Sequence, residues 1–445
     1  MLFSQFVDDD LGCASYLVGD EQAGVAVVVD PPYAIERLVE EAERRGVRLV
    51  AVLETHTHAD HVSGHGRFAL EQGLPVRVHG DAEASFEHEP LEDGTEVELG
   101  AVVVRTLHTP GHRPEHCAFA VIDRSRGDEP WLVLTGDSLF VGDAARPDLA
   151  VGAVEGAEGL FHSLHRLVEL GDGVEVYPGH VAGSLCGAAM SSKASTTIGF
   201  ERRFNHALRD EYADFMAAAA GPQPPRPPNM ERIVELNRGP FLAAQPPLAH
   251  VESVPDGAVV LDVRPTGAFT AGHRPGAIGI PVSGSSFGTK TAFVLPPAPV
   301  VLHADDESQA QRAAAALHAV GIFDLAGWQE GGGAETLEPI SVEEVERLLA
   351  EDAVELLDVR EAHERDAGHI PGSRHLPYRT ARAAAENGLL DGRPVVTICE
   401  SGPRAAVAAS VLQSAGIDAR PVLAGGTATW RANGGETPSF RRCGS

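Results

Sequence analysis

Cysteine is scarce in this chain. Its five residues, Cys13, Cys117, Cys186, Cys399 and Cys443, are odd in number and widely scattered, with no C-x-x-C pair among them. A disulfide framework is thereby excluded, and each thiol is either packing or a reactive group whose local sequence must decide. Basic charge is also short: 35 Lys and Arg face 64 Asp and Glu, a formal net charge of −29. Such an excess repels nucleic-acid backbones and anionic membrane surfaces, so neither is expected as a partner. No apolar run approaches membrane-spanning length, and the first ten residues, M-L-F-S-Q-F-V-D-D-D, lack a basic stretch followed by an apolar one. A cytoplasmic location is the expectation. The remaining composition, 43% hydrophobic and 22% charged, is that of an ordinary globular chain, and 445 residues leave room for two to four domains.

Histidine, by contrast, is concentrated. Within L-E-T-H-T-H-A-D-H-V-S-G, residues 53 to 64, the six positions from His56 to His61 hold three histidines and an aspartate. The apolar run Leu49 to Leu53 before it reads as a buried strand, and residues 62 to 68 read as a loop turning into a helix. Imidazoles and a carboxylate are therefore gathered at a strand's end, with His56 and His58 projecting to one side and Asp60 and His61 on the following turn. Such N and O donors suit zinc, iron or manganese.

The same arrangement recurs along the first half. The strand Val102 to Leu107 finishes in H-T-P-G-H, offering His108 and His112; Trp131 to Leu134 leads to T-G-D and Asp137; Val174 to Tyr177 leads to P-G-H and His180. Strands of one sheet end along one edge, so these donors can meet. The set H-x-H-x-D-H, lone His, Asp and final His resembles the metallo-β-lactamase superfamily, on His56, His58, Asp60, His61, His112, Asp137 and His180. The resemblance implies an αββα sandwich over about the first 230 residues with metal at one edge. Its T-P-G-H, G-D and P-G-H marks are similar to two branches, thiolester hydrolases of glyoxalase II type and persulfide dioxygenases. The first branch implies two zinc ions bridged by Asp137, one on His56, His58 and His112, the other on Asp60, His61 and His180. The second implies one Fe(II) on His56, His112 and Asp137, with His58, Asp60, His61 and His180 as hydrogen-bonding groups behind it. Arg146, in a stretch similar to the G-R-x-D of persulfide dioxygenases, could fork onto a substrate carboxylate or pair with Asp143 or Asp148. Cys186, just past His180, could hold sulfane sulfur at the mouth of the site, while Cys13 and Cys117 read as core.

Beyond the proline-rich run at residues 222 to 229 the chain repeats itself. V-V-L-D-V-R at 259 to 264 returns as L-L-D-V-R at 356 to 360, and G-H-R-P-G-A at 272 returns as G-H-I-P-G-S at 368, both at an offset of 96 residues. A period of that length is a duplicated domain. Each copy alternates strands and helices, which predicts a parallel sheet covered on both faces. Cys399 stands between the strand Val395 to Ile398 and a helix from Ala405, with Gly402 for the tight wrap and Arg404 as a fixed positive charge. Backbone N–H groups there can stabilise a thiolate or an anionic sulfur group. These marks resemble the rhodanese family, which implies a persulfide-forming Cys399. In the middle copy Ala304, Glu307 and Gln309 stand where Cys399, Gly402 and Arg404 stand, so that copy has no nucleophile and reads as a spacer or docking module.

The expectation is therefore an α/β chain of three domains: residues 1 to 236, an αββα sandwich; 237 to 336, a rhodanese-like domain without its cysteine; and 337 to 445, a rhodanese domain with it. A persulfide is the natural shared intermediate of two such domains. The expected activity is oxidation of a thiol persulfide by O2 at one Fe(II) per chain, giving sulfite, with Cys399 forming or using thiosulfate. The rival is a hydrolase with two zinc ions. A homo-oligomer is expected.

Overall fold

A computed structural model of the chain describes residues 1–181, 191–221, 223, 225–390 and 392–440. It divides into two compact units, Met1–Gln245 with His318–Gly321, and Pro246–Leu317 with Ile322–Ser445. The expected boundary at residue 236 falls inside a helix, Met230–Arg238, that belongs to the first unit.

Two six-stranded sheets make up the first unit. One runs in sequential order through β1 (Leu2–Val7), β2 (Ala14–Asp20), β3 (Val25–Val29), β4 (Arg48–Leu53), β5 (Val76–His79) and β6 (Glu89–Leu91). The other runs through β7 (Glu96–Leu99), β8 (Val102–His108), β9 (Cys117–Asp123), β10 (Pro130–Gly136), β11 (Glu175–Pro178) and β12 (Thr196–Thr197). Successive side chains on a strand point to opposite faces, and the burial follows that period. Val27 and Val29 of β3 and Leu53 of β4 face Val102, Val104, Phe119 and Leu132 of the other sheet in one core. The alternate positions Ala26, Val28 and Val52 pack outward on Leu38 and Ala42 of α1 (Glu36–Arg45) and Phe68 of α2 (His65–Gln72). On the far side Ala118, Ala120 and Val133 take Leu160, Leu164 and Leu167 of α3 (Ala153–Val168). Helix, sheet, sheet, helix is the resulting order of layers. β4, β8, β10 and β11 then deliver the histidine loop, His112, Asp137 and His180 from their C-terminal ends.

The second unit holds two four-stranded parallel sheets of the same order. One is β14 (Ile278–Gly279), β13 (Val259–Asp262), β15 (Val300–Ala304), β16 (Leu325–Glu330); the other is β18 (Arg374–His375), β17 (Glu355–Asp358), β19 (Val395–Ile398), β20 (Ala419–Pro421). The repeated D-V-R is a structural device. Arg264 forks onto buried Asp262 and donates to Gly272 O at 2.8 Å; Arg360 forks onto Asp358 and donates to Gly368 O at 2.8 Å. In each copy the arginine ties the end of a strand to the glycine that closes the next helix, and the buried charges neutralise each other. Residues of both copies share one core, in which Phe287 and Val294 join Tyr378, Ala405 and Ala409. Among the described residues no helix is long and apolar enough to cross a membrane.

Candidate metal centre and sulfur-transfer loop

The metal site is built from behind. Asp30, at the end of β3 with φ 49°, is buried and aims its carboxylate at the next strand's end. Its Oδ1 accepts the Thr55 N–H at 2.7 Å, and its Oδ2 accepts the Thr55 hydroxyl at 2.8 Å. With its own proton given to Asp30, the Thr55 hydroxyl accepts from His56 Nδ1–H at 2.9 Å. His112 Nδ1–H likewise donates to the Arg146 carbonyl at 2.9 Å. Both rings are thereby fixed with the Nε2 lone pair turned forward, 4.0 and 3.7 Å from Asp137 Oδ2. The other oxygen, Asp137 Oδ1, accepts from His180 Nδ1 at 2.7 Å.

His56 Nε2 and Asp137 Oδ2 are buried with no hydrogen-bond partner. Orphaned acceptors of this kind are costly unless a ligand meets them. The ligand atoms of His56, His112 and Asp137 lie within 4.8 Å of one another, and all three residues are buried. Burial above all holds both imidazoles below their ordinary pKa, so they are neutral and free to coordinate. Burial opposes ionisation of Asp137, but the His180 contact outweighs it and keeps the carboxyl below its usual range. Two neutral imidazoles and a carboxylate on one face fit a divalent transition metal.

The remaining histidines of the loop turn elsewhere. His58 lies beside His56, with ring centres 4.3 Å apart, but its Nε2 sits between Glu54 Oε2 at 3.1 Å and Asp30 Oδ1 at 3.3 Å. Burial lowers its basicity; the two carboxylates more than reverse that and raise it well above the usual value. His61 Nδ1 lies 3.3 Å from Asp60 Oδ1, while Asp60 Oδ2 meets His180 Nε2 at 2.6 Å. His180 thus bridges Asp137 and Asp60, one ring nitrogen to each. Asn237 pins the loop, donating to the His58 and His61 carbonyls at 2.9 and 2.8 Å.

Arg146 forks onto Asp148 through Nε and Nη2 at 2.7 and 3.0 Å, its carbonyl accepts from His112, and its Nη1 is buried without a hydrogen-bond partner. Cys186 lies outside the described residues, as does Cys443. Cys13, read as core, is buried yet stands at the site: its Sγ is 3.2 Å from Asp60 Oδ2 and 3.3 Å from His180 Nε2. His108 turns away to the Pro114 carbonyl. Sequence reasoning passed over His116, whose ring centre is 5.1 Å from that of His56 and whose Nε2 is buried without a partner. It also passed over Asp30 and Glu54. The third histidine of H-T-P-G-H-R-P-E-H was a readable signal; the two carboxylates had none. Thr55→Val removes the hydroxyl that holds His56, so metal affinity should fall about 10- to 100-fold in chelator competition, with the circular dichroism spectrum unchanged.

At the second centre, Cys399 follows β19 and is 1% exposed. The Gly402 N–H donates to its Sγ at 3.0 Å, and the helix Pro403–Ser414 begins at once. Gly402 has φ 118°, and a Cβ there would lie 2.2 Å from the Leu423 carbonyl oxygen, so only glycine permits the wrap. Arg404 forks onto Glu364 at 2.5 and 2.7 Å. Glu400 is tied to Thr427 at 2.5 Å, to Arg360 at 3.3 Å and to Arg431. In the middle copy Gln309 Oε1 accepts the N–H of Asp305, the residue after Ala304, at 2.8 Å, closing that loop on itself.

Comparison with known proteins follows this division. The metallo-beta-lactamase superfamily profile matches residues 8–180, and the rhodanese-like domain profile matches residues 341–433. An uncharacterized protein of Mycobacterium tuberculosis is 31% identical over 231 residues, covering 46% of this chain and 96% of that protein. The mitochondrial persulfide dioxygenase ETHE1 of Bos taurus is 29% identical over 229 residues, 50% of this chain and 82% of that protein. The crystal structure of a metallo-beta-lactamase from Staphylococcus aureus subsp. aureus COL, 28% identical, superposes with a TM-score of 0.69 over 74% of this chain and 99% of that one. Taken with the buried donor cluster and the cysteine loop, these matches make the chain a member of the metallo-beta-lactamase superfamily that carries a rhodanese-like domain in its C-terminal half.

Proposed function

We propose that the protein oxidises a low-molecular-weight thiol persulfide with O2 at a single iron and passes sulfane sulfur through Cys399. The observation that carries this reading is the three-donor face of His56, His112 and Asp137, with its orphaned Nε2 and Oδ2 atoms, while His58 is drawn off by Glu54 and Asp30. A two-histidine, one-carboxylate face leaves coordination positions open for a sulfur ligand and O2. The name of the Bos taurus relative supports the same chemistry.

Bound there, Fe(II) supplies the site that brings persulfide and O2 together and the electrons that activate O2. The protein's part is to orient and to neutralise. Thr55 and the Arg146 carbonyl hold the two imidazoles in one tautomer. His180, between Asp137 and Asp60, holds a proton beside the reacting centre. The balance is R-S-SH + O2 + H2O giving R-SH, sulfite and two protons. At the second centre the Cys399 thiolate takes the outer sulfur of a persulfide, releasing the thiol, and sulfite then removes that sulfur as thiosulfate, regenerating the thiolate. The Gly402 N–H and the helix behind it stabilise the anionic sulfur in both steps.

Metal content measured together with O2 uptake tests the reading. About one iron per chain, with O2 consumed and sulfite or thiosulfate formed from a thiol persulfide, is the expected result. Two zinc ions per chain with no O2 uptake and cleavage of a thiolester would replace it with the hydrolase.

A further inference from the structure

Apart from the donors already described, two further histidines and a carboxylate meet where the two sheets of the first unit end. His79 closes β5, Asp81 lies in the turn after it, and His108 closes β8 of the other sheet. Each offers one ligand atom, and the three atoms lie within 4.8 Å of one another. The two imidazoles stack, with ring centres 4.2 Å apart and planes 9° from parallel. Both histidines are part-exposed and Asp81 is open to solvent, so an ion can reach all three.

Hydrogen bonds fix which nitrogen of each ring is the base. His108 Nε2–H donates to the Pro114 carbonyl at 2.8 Å; a carbonyl can only accept, so the lone pair of the neutral ring is on Nδ1. His79 Nδ1 accepts the Asp81 N–H at 3.2 Å, which puts its lone pair on Nδ1 as well, 3.7 Å from Asp81 Oδ2. That N–H contact is long and belongs to an exposed residue, so water can replace it when an ion takes the nitrogen. Burial, and after it the neighbouring His108, hold His79 below its ordinary pKa and leave its lone pair unprotonated. Asp81, Glu115 and Glu92 pull the other way, a negative field that attracts a cation. Donors on one tetrahedral zinc ion stand about 3.3 Å apart, so closing the site takes about 1 to 1.5 Å of side-chain movement and a turn of the stacked rings about their Cβ–Cγ bonds.

We propose that His79, Asp81 and His108 bind one divalent transition-metal ion of the zinc class, in addition to the metal on His56, His112 and Asp137, with water completing its shell. Two imidazoles favour such an ion over calcium and magnesium, which take oxygen donors. The ion fastens the turn after β5 to the end of β8, one sheet to the other, four residues before His112. Its role is structural, and it is independent of the reaction assigned to the catalytic face.

The test equilibrates the iron-loaded full chain with Zn2+, removes free metal, and counts zinc per chain in the wild type and in a His79→Ala, His108→Gln double variant. Gln at 108 keeps a donor for the Pro114 carbonyl while removing the imidazole. The wild type should hold one more zinc per chain than the variant, and Zn2+ should raise its Tm by more. Exchange at His56, His112 and Asp137 is common to both proteins and cancels in the difference. Excess Ca2+ or Mg2+ should leave the difference unchanged. Equal zinc contents, or a difference abolished by Mg2+, overturn the proposal. Asp81→Asn, at an exposed position that tolerates the change, decides the matter should the double variant fail to fold. It should weaken calorimetric Zn2+ binding at this site at least about tenfold, the least that loss of a group supporting a metal ligand costs, and unchanged affinity overturns the three-donor site.

Discussion

Asp137→Ala should leave a folded protein with substoichiometric iron, and persulfide-dependent O2 uptake should fall at least about 1,000-fold, roughly 4 kcal/mol of activation free energy. The size of the effect follows from what Asp137 does with its two oxygens. Oδ2 completes the donor face with His56 and His112, and Oδ1 anchors His180, which in turn holds Asp60. Alanine leaves two imidazoles and no anionic donor, and a divalent ion on two neutral nitrogens is weakly held. It also releases His180, whose ring then has Asp60 as its remaining carboxylate partner. The fold should persist, because β10 keeps its pairing with β9 and β11 through the backbone and through Leu132, Val133 and Leu134 in the cores. Circular dichroism and the unchanged sulfur-transfer activity of Cys399 are the controls. An Asp137→Ala protein that retains its iron and its O2 uptake would falsify the assignment of the metal face.

What sequence could and could not say about this site has a physical explanation. Strand alternation and strand-end donors are local signals, and they placed His56, His112, Asp137 and His180 on one edge because strands of a sheet end together. The duplication was legible for the same reason, as an offset of 96 residues that the paired Asp262–Arg264 and Asp358–Arg360 ion pairs make structural. The direction in which a side chain turns is not local. His58 sits two residues from His56 and was expected to share its side, yet buried Glu54 and Asp30 capture its Nε2. Cys13 looked like packing because its neighbourhood is set by pairing with the far end of the domain: Ala14 N–H donates to the Gly179 carbonyl at 2.7 Å, which lays Cys13 against His180. Arg146 shows the limit of a motif. Its Nε and Nη2 are engaged by Asp148 two residues on and its contact with His112 is a backbone one that any residue type could make, while its Nη1 is buried without a partner.

Cys399→Ser should separate the two activities. Sulfur transfer should fall to background, a loss of at least about 1,000-fold, while O2 uptake per persulfide stays within about twofold. Serine is close in size and its hydroxyl can accept the Gly402 N–H that now points at the thiol, so the loop between β19 and the following helix has no reason to move. The chemistry is lost all the same, because transfer needs a thiolate that attacks sulfur and a sulfur–sulfur bond that can break again, and a hydroxyl provides neither. The product balance then reports the coupling. On the proposed reading the wild-type chain, given persulfide and O2, should yield thiosulfate, since sulfite formed at the metal centre would remove sulfur from Cys399. The variant should accumulate sulfite instead, with the same O2 consumed. The middle copy cannot compensate, because Ala304 stands at its cysteine position and Gln309 fills its loop. Thiosulfate formed by the variant at the wild-type rate would mean that sulfite meets persulfide elsewhere, and would reduce Cys399 to a bystander of the oxidation.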